Sequence, residues 1–242
     1  MSRTNWRDQL PSMKWFRSWH SLFDVEQKLW RTVDKLEEVA GGHFARHAER
    51  THSQLRDEVL PTVQFAKKLC SLPNHWDQSI ELRFCLDNGK GGEVEFDAEY
   101  RWHSLQPNFK ASSLGRIEVT RVGVEFKKDK DRDFAWQKAE TPEEHLALVH
   151  AKDSETWPLI RQEMLDSVNK KLANKRYSEN TALLLYVDCD ESCNSINWIR
   201  HHDQNFFSSL CDQTRGSFSH LFAWGPSSGV FFKDLTKPSA SH

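Results

Sequence analysis

The chain has 242 residues and a formal net charge of −2, so its length allows one or two domains. This charge argues against a surface that binds nucleic acid everywhere, although it leaves room for a local basic groove. Hydrophobic residues make up 38% of the chain and charged residues 28%, as in globular proteins, and no apolar run approaches the roughly 18 residues needed to cross a bilayer.

The cysteines and the first residues bear on the cellular compartment. There are five cysteines, an odd number, and residues 1–8 are polar and lack the apolar core of a secretory leader. Both observations predict reduced thiols. We therefore expect a cytoplasmic protein with no membrane partner.

Residues 1–50 are predicted to form a Trp-rich helical extension. Its apolar residues recur at mixed three- and four-residue steps, which is typical of an amphipathic helix. They are Trp15, Trp19, Leu22, Phe23, Trp30, Val33 and Leu36. We expect them to face a core or a second copy of the chain in a homo-oligomer. A membrane-surface helix is the alternative, and the acids of this segment argue against it. A second helix is predicted from about residue 43 to residue 69, and it carries Glu58.

Three strands follow the helices. Residues 80–86 alternate apolar and polar side chains, residues 94–100 contain Asp97, and residues 115–124 are rich in β-branched side chains around Glu118. Turn-forming or polar segments separate the strands. Three successive strands with short connections indicate an antiparallel meander.

The second half of the chain is predicted to alternate helices and strands. A short helix from residue 142 to about residue 151 precedes a longer one at 158–176, and residues 181–187 form an uninterrupted apolar run typical of a buried strand. A helix at 195–210 and two strands at 218–224 and 230–232, a hairpin or two edge strands, complete the pattern. The predicted fold is α/β, with a mixed sheet flanked by helices over residues 51–235 and a polar tail at 236–242.

Two features of this pattern could carry chemistry. Glu118 lies within a strand expected to be buried, where a carboxylate is costly unless it is paired, hydrogen-bonded or bound to a metal. The alternative is a half-exposed Glu118 paired with Arg116 or Arg121. Lys170 and Lys171, near the end of the 158–176 helix, either complement the helix dipole or face a phosphate.

The predicted order is a helix, three strands, a long helix and a buried strand. Asp97 lies on the second strand, and Ile117-Glu118-Val119-Thr120 lies on the third. This arrangement resembles the restriction-endonuclease-like PD-(D/E)XK nuclease superfamily over about residues 51–190. The resemblance implies a nuclease-like domain that cleaves phosphodiesters in DNA or RNA. It also implies Mg²⁺ or Mn²⁺ held by Asp97 and Glu118, with Glu58 as an extra acid. Two acids on neighbouring strands suffice for Mg²⁺, which keeps waters and binds substrate phosphate.

One position departs from the family pattern. Thr120 stands where the family has a lysine, and a threonine hydroxyl supplies no positive charge. The resemblance then implies that Lys170 or Lys171 takes the part of that lysine. The departure also favours an alternative, the same fold as a non-catalytic binding or regulatory module. A third hypothesis is an assembly protein that uses its N-terminal helices as an interface.

Overall fold

The computed structural model describes residues 12–40, 54–72, 78–86, 96–104, 114–123, 141–174, 177, 180–188, 204–225 and 229–236. It contains a mixed sheet of seven strands, β1 to β7, which follow one another in chain order, and helices flank it. The predicted α/β class is therefore confirmed. The chain divides into two compact units, residues 1–119 and 120–242. None of the helices in the described ranges is long and apolar enough to span a membrane.

The helices of the first unit lie within residues 12–40 and 54–72. A 3-10 helix, Met13–Arg17, precedes α1, and α1 begins where the Ser21 hydroxyl accepts a hydrogen bond of 3.1 Å from the Asp24 N–H. A π-helical turn runs directly into α2. Their bounds are Leu22–Ala40 for α1, Leu55–Val59 for the π turn and Leu60–Cys70 for α2.

The predicted meander is confirmed in the first unit. The strands are β1 at His20–Ser21, β2 at Gln78–Phe84, β3 at Ala98–Ser104 and β4 at Leu114–Gly123. β2 pairs antiparallel with β3 along its whole length, β3 pairs antiparallel with the first part of β4, and β1 pairs with the other edge of β2. The predicted bounds of these strands were 80–86, 94–100 and 115–124. They differ from the observed bounds of β2, β3 and β4 by four residues or fewer.

The alternation of side chains gives this meander one apolar and one charged face. The apolar residues are all buried: Ile80, Leu82, Phe84, Ala98, Tyr100, Trp102 and Ile117. Phe65 of α2 contacts Tyr100 edge-on, with ring centroids 6.1 Å apart, and Phe16 contacts Phe84 in the same way at 6.0 Å. The helices therefore cover the apolar face. The opposite face carries Glu81, Arg83, Glu99, Arg101, Arg116 and Glu118.

The second unit contains the remaining elements. Their bounds are Pro142–Asn174 for α3, Thr181–Asp188 for β5, Gln204–Thr214 for α4, His220–Gly225 for β6 and Gly229–Asp234 for β7. β5 pairs parallel with β6, and β6 pairs antiparallel with β7, so the predicted hairpin is confirmed. Every residue from Thr181 to Val187 is buried, as the apolar run predicted. The core of this unit includes Ile160, Met164 and Val168 of α3.

Two predictions about the helices are wrong. The two helices expected at 142–151 and 158–176 form the single helix α3, which continues through Pro158. A proline within a helix removes one hydrogen bond and clashes with a carbonyl, but apolar packing near it offsets this cost. Trp157 packs on Phe206 with ring centroids 5.8 Å apart, and Ile160 is fully buried. The N-terminal segment is also not all helical, because β1 interrupts it.

Several predicted elements lie partly outside the described residues. The second predicted helix is confirmed from residue 54 to residue 70, whereas its start at residue 43 lies outside the described part. The same holds for most of the helix predicted at 195–210, which is helical from residue 204. The domain boundary predicted at residues 50 and 51, and most of the tail at 236–242, also lie there and stay predictions.

Candidate functional site

Glu118 is one of the most buried carboxylates in the described part of the chain. It lies on β4 between Ile117 and Val119, whose side chains point to the apolar face, so Glu118 points to the charged face. Only 2% of its surface is exposed. The alternative of a half-exposed Glu118 is therefore wrong. Its burial is the property expected of a structural or a functional carboxylate, because isolation from water makes an unpaired charge costly.

Asp97 was predicted to lie within a strand, but the structure places it directly before β3. Its N–H donates to the carbonyl of Ile117 at 2.9 Å, whereas its own carbonyl accepts from the N–H of Cys85 at 2.8 Å. A residue in a regular antiparallel strand directs its N–H and its carbonyl to the same neighbouring strand. Asp97 therefore stands at the end of the regular ladder, bonded to Ile117 on one side and to Cys85 on the other. Pattern analysis could not find this irregularity, since it depends on the partners on both sides of Asp97.

The side chain of Asp97 reaches β4. Its Oδ2 accepts a hydrogen bond of 2.6 Å from the backbone N–H of Val119. The carboxylate of Asp97 thus replaces a main-chain acceptor and bonds to the residue that follows Glu118. The two acids singled out in the sequence are brought to the same part of the meander, Glu118 on β4 and Asp97 directly before β3.

Further negative charge surrounds this part of the sheet. The pKa of the Cys85 thiol is raised to about 11, mainly by burial and in addition by the carboxylates of Glu99, Asp97 and Glu58, while Arg83 opposes the rise. Three acids therefore act on one thiol. Glu58 lies in the π-helical turn, where both of its carboxylate oxygens accept from Gln54 Nε2, at 3.0 and 3.1 Å. Such single π turns are frequent at functional sites.

The donor set can be compared with the needs of a metal ion. Carboxylate oxygens are the ligands that Mg²⁺ and Mn²⁺ prefer. Among the described residues, no group of three or more His, Cys, Asp or Glu side chains is arranged to hold a metal. The predicted set of Asp97, Glu118 and Glu58 is thus not assembled as a three-ligand cage. In residue type alone, Asp97 and Glu118 correspond to the smaller set that Mg²⁺ accepts, one or two carboxylates with waters and a substrate phosphate, and binding of the ion by them stays a prediction.

The remaining predicted residues lie in the second unit. Thr120 follows Glu118 by two positions on β4, and its buried Oγ1 has no hydrogen-bond partner among the residues that the structure describes. Lys170 is exposed and Lys171 is partly buried near the end of α3. The roles that the sequence assigned to these three residues stay predictions.

Two residues near the acids were not selected from the sequence as site residues. The guanidinium carbon of Arg116 lies 4.8 Å from the ring centroid of Phe96, the residue before Asp97. Arg116 itself lies two positions before Glu118 on the same face of β4. A cation with this spacing is visible in the sequence, where Arg116 was considered only as a pairing partner of Glu118.

The fold and this site define an α/β protein whose meander carries Glu118 on β4 and Asp97 directly before β3, with the Asp97 carboxylate bonded to β4. Comparisons with protein-family models, with curated proteins and with solved structures found no match. The resemblance to the PD-(D/E)XK superfamily therefore stays a prediction.

Proposed function

We propose that the chain is a nuclease that hydrolyses phosphodiester bonds in DNA or RNA with Mg²⁺ or Mn²⁺. The observation that carries the proposal is the position of Asp97, whose carboxylate is bonded to the N–H of Val119 directly beside the buried Glu118. A divalent cation bound there supplies an activated water and neutralises charge on the phosphoryl group. The protein contributes the two carboxylates and holds them in place.

Preorganisation supports a chemical role for this pair. The Asp97 carboxylate is fixed by a backbone bond, and the Glu118 side chain is buried on a hydrogen-bonded strand. Ligands fixed on strands lose little conformational freedom when an ion binds, so more of the binding free energy is retained. Burial also excludes water, which strengthens the attraction between carboxylates and a cation.

The test is cleavage by wild type and by Glu118→Gln, which keeps the shape of the side chain and removes its charge. The substrates are single- and double-stranded DNA and RNA, each with Mg²⁺, Mn²⁺ or a chelator. We expect cleavage by wild type to require the metal and to fall by roughly 100-fold or more in Glu118→Gln, because one ligand of a single site is lost.

The matched control is Glu38→Gln, which removes the same charge from an exposed side chain on α1. It should cleave like wild type. Equal cleavage by wild type and Glu118→Gln would mean that the activity belongs to another site or to a contaminant, and the proposal would then be abandoned.

A non-catalytic binding or regulatory module is the second candidate. Thr120 favours it, because its hydroxyl brings no positive charge to the position two residues after Glu118 on β4. This candidate predicts no cleavage under any of the conditions above, together with binding of nucleic acid or another partner that does not depend on metal. The third hypothesis, assembly through the N-terminal helices, stays a prediction. Phe23 and Trp30 of α1, 69% and 45% exposed, are the residues that would carry it.

A further inference from the structure

Three arginines of the charged face contact aromatic rings, but only two of them also have a carboxylate partner. The guanidinium carbons of Arg83 and Arg101 lie 5.0 and 4.4 Å from the ring centroid of Trp19. Arg83 donates from Nε and Nη2 to the carboxylate of Glu99, which is itself buried. Arg101 donates from Nε to the carboxylate of Glu81. Both guanidiniums therefore have a carboxylate partner on the neighbouring strand, and their charge is largely balanced within the sheet.

Arg116 is held by a ring instead of a carboxylate. Its guanidinium carbon lies 4.8 Å from the centroid of Phe96, and no ion pair joins it to an acid within the described ranges. Cation–π contact uses the flat face of the guanidinium. The N–H donors lie in the plane of that group, so stacking leaves them directed away from the ring. Glu99 lies directly opposite Arg116, but its carboxylate is paired with Arg83. Arg116 is thus a positioned cation without an ion-paired carboxylate of its own among the described residues.

The position of Arg116 relates it to both acids. Along β4 it precedes Glu118 by two residues, which places the two α-carbons about 7 Å apart with side chains on the same face. Phe96, which holds the guanidinium, is directly followed by Asp97. The ring and the strand that fix Arg116 are therefore the segments that carry the two acids.

We propose that Arg116 binds a phosphate of the nucleic-acid substrate beside Asp97 and Glu118, and that Phe96 positions it for this contact. A guanidinium donates two parallel hydrogen bonds to a phosphate, and it balances the charge that two carboxylates leave at the site. Arg116 thereby brings to this part of the sheet the positive charge that Thr120 lacks. The inference rests on the proposed function, since it places the same substrate at the same acids.

The test measures binding separately from cleavage. Fluorescence anisotropy of labelled single- and double-stranded oligonucleotides, with Ca²⁺ in place of Mg²⁺, reports the dissociation constant at several salt concentrations. Arg116→Gln should weaken binding by about tenfold or more and reduce the steepness of the salt dependence by about one phosphate contact. Arg116→Lys keeps the charge but loses the paired donors, so it should bind with intermediate affinity and retain the salt dependence of wild type.

The matched control is Arg31→Gln, which removes the same charge from an exposed position on α1. It should bind like wild type. Phe96→Leu tests the positioning role, because it removes the ring and leaves every charge in place. It should weaken binding by a few-fold without changing the salt dependence, and a merely structural role of Phe96 would instead lower the midpoint of thermal unfolding.

The outcomes separate this inference from the proposed function. If cleavage requires Glu118 but Arg116→Gln binds as well as Arg31→Gln, the Arg116 inference is overturned and the nuclease proposal stands. If wild type binds through Arg116 but never cleaves, the phosphate contact is supported and the nuclease proposal fails. Arg116→Lys binding as tightly as wild type would contradict the paired-donor contact, and Arg116→Lys binding as weakly as Arg116→Gln would contradict the contribution expected from charge.

Discussion

Replacing Asp97 separates a structural role of its carboxylate from a chemical one. Asp97 Oδ2 accepts from the N–H of Val119, a residue only 7% exposed, so Asp97→Ala leaves a buried backbone donor without its acceptor. Such an orphaned group costs about 1–3 kcal/mol. Asp97→Asn keeps an oxygen that can accept the same hydrogen bond, but it removes the negative charge that a metal would need.

The size of the expected effects follows from this bond. A hydrogen bond to an ionised acceptor is roughly twice as strong as a neutral one, so we expect about 2 kcal/mol for Asp97→Ala and about half of that for Asp97→Asn. In a chain of this length each kcal/mol moves the unfolding midpoint by about 2–4 °C. The midpoint should thus fall by about 4–8 °C in Asp97→Ala and by about 2–4 °C in Asp97→Asn. Cleavage should be lost in both.

The assays are thermal unfolding followed by far-ultraviolet circular dichroism and the metal-dependent cleavage described above. Asp34→Ala, at an exposed position on α1, is the control and should leave both measurements unchanged. An unfolding midpoint of Asp97→Ala equal to that of wild type would refute the backbone bond as a stabilising contact. Cleavage by Asp97→Asn at the wild-type rate would refute Asp97 as a metal ligand, whatever its effect on stability.

Two further predictions concern stability. Burial opposes the ionisation of Glu81, but hydrogen bonds and positive charge from Arg101 and His103 outweigh it and lower its pKa from the ordinary 4.5. The stability from these bonds is present above about pH 4.5 and is lost as the pH falls through the lowered pKa. In urea unfolding, the free energy of unfolding of wild type should therefore exceed that of Glu81→Gln by less as the pH falls below about 4.5. A difference that stays constant with pH would contradict the ionic origin. Thr62 is fully buried, and its Oγ1 has no partner among the described residues, so Thr62→Val should raise the free energy of unfolding by about 1 kcal/mol, whereas a lower value would show that the hydroxyl has a partner.

The parts of the fold that sequence predicted well are those fixed by local periodicity. Alternation through Ile80, Leu82 and Phe84 located β2, because a strand with one buried face must alternate. The run from Thr181 to Val187 located β5, because a strand buried on both faces needs no polar side. In both cases each residue type is determined by the surface that it faces, so the sequence alone carries the information.

The parts that could not be predicted depend on contacts between distant segments. Pro158 favours a break in the helix, but tertiary packing keeps α3 continuous. Asp97 was predicted to be a strand residue, but it ends the ladder because its carbonyl and N–H bond to Cys85 and Ile117 on opposite sides. The contact of Arg116 with Phe96 likewise joins β4 to the segment before β3 through residues far apart in sequence. No window of the sequence contains both partners of any of these contacts.

At the candidate site, too, residue type could be used for prediction, whereas contacts between distant segments could not. A carboxylate in an apolar strand is conspicuous by residue type, so Glu118 could be selected before its burial was known. Glu99 is buried too, but it was not selected from the sequence, and the structure pairs it with Arg83. Glu99 also lies directly opposite Arg116 in the pairing of β3 with β4. Because the Glu99 carboxylate is paired with Arg83, Arg116 is held by the ring of Phe96 instead. Under the proposed function, a phosphate pairs with this guanidinium and a metal ion with the carboxylates of Asp97 and Glu118.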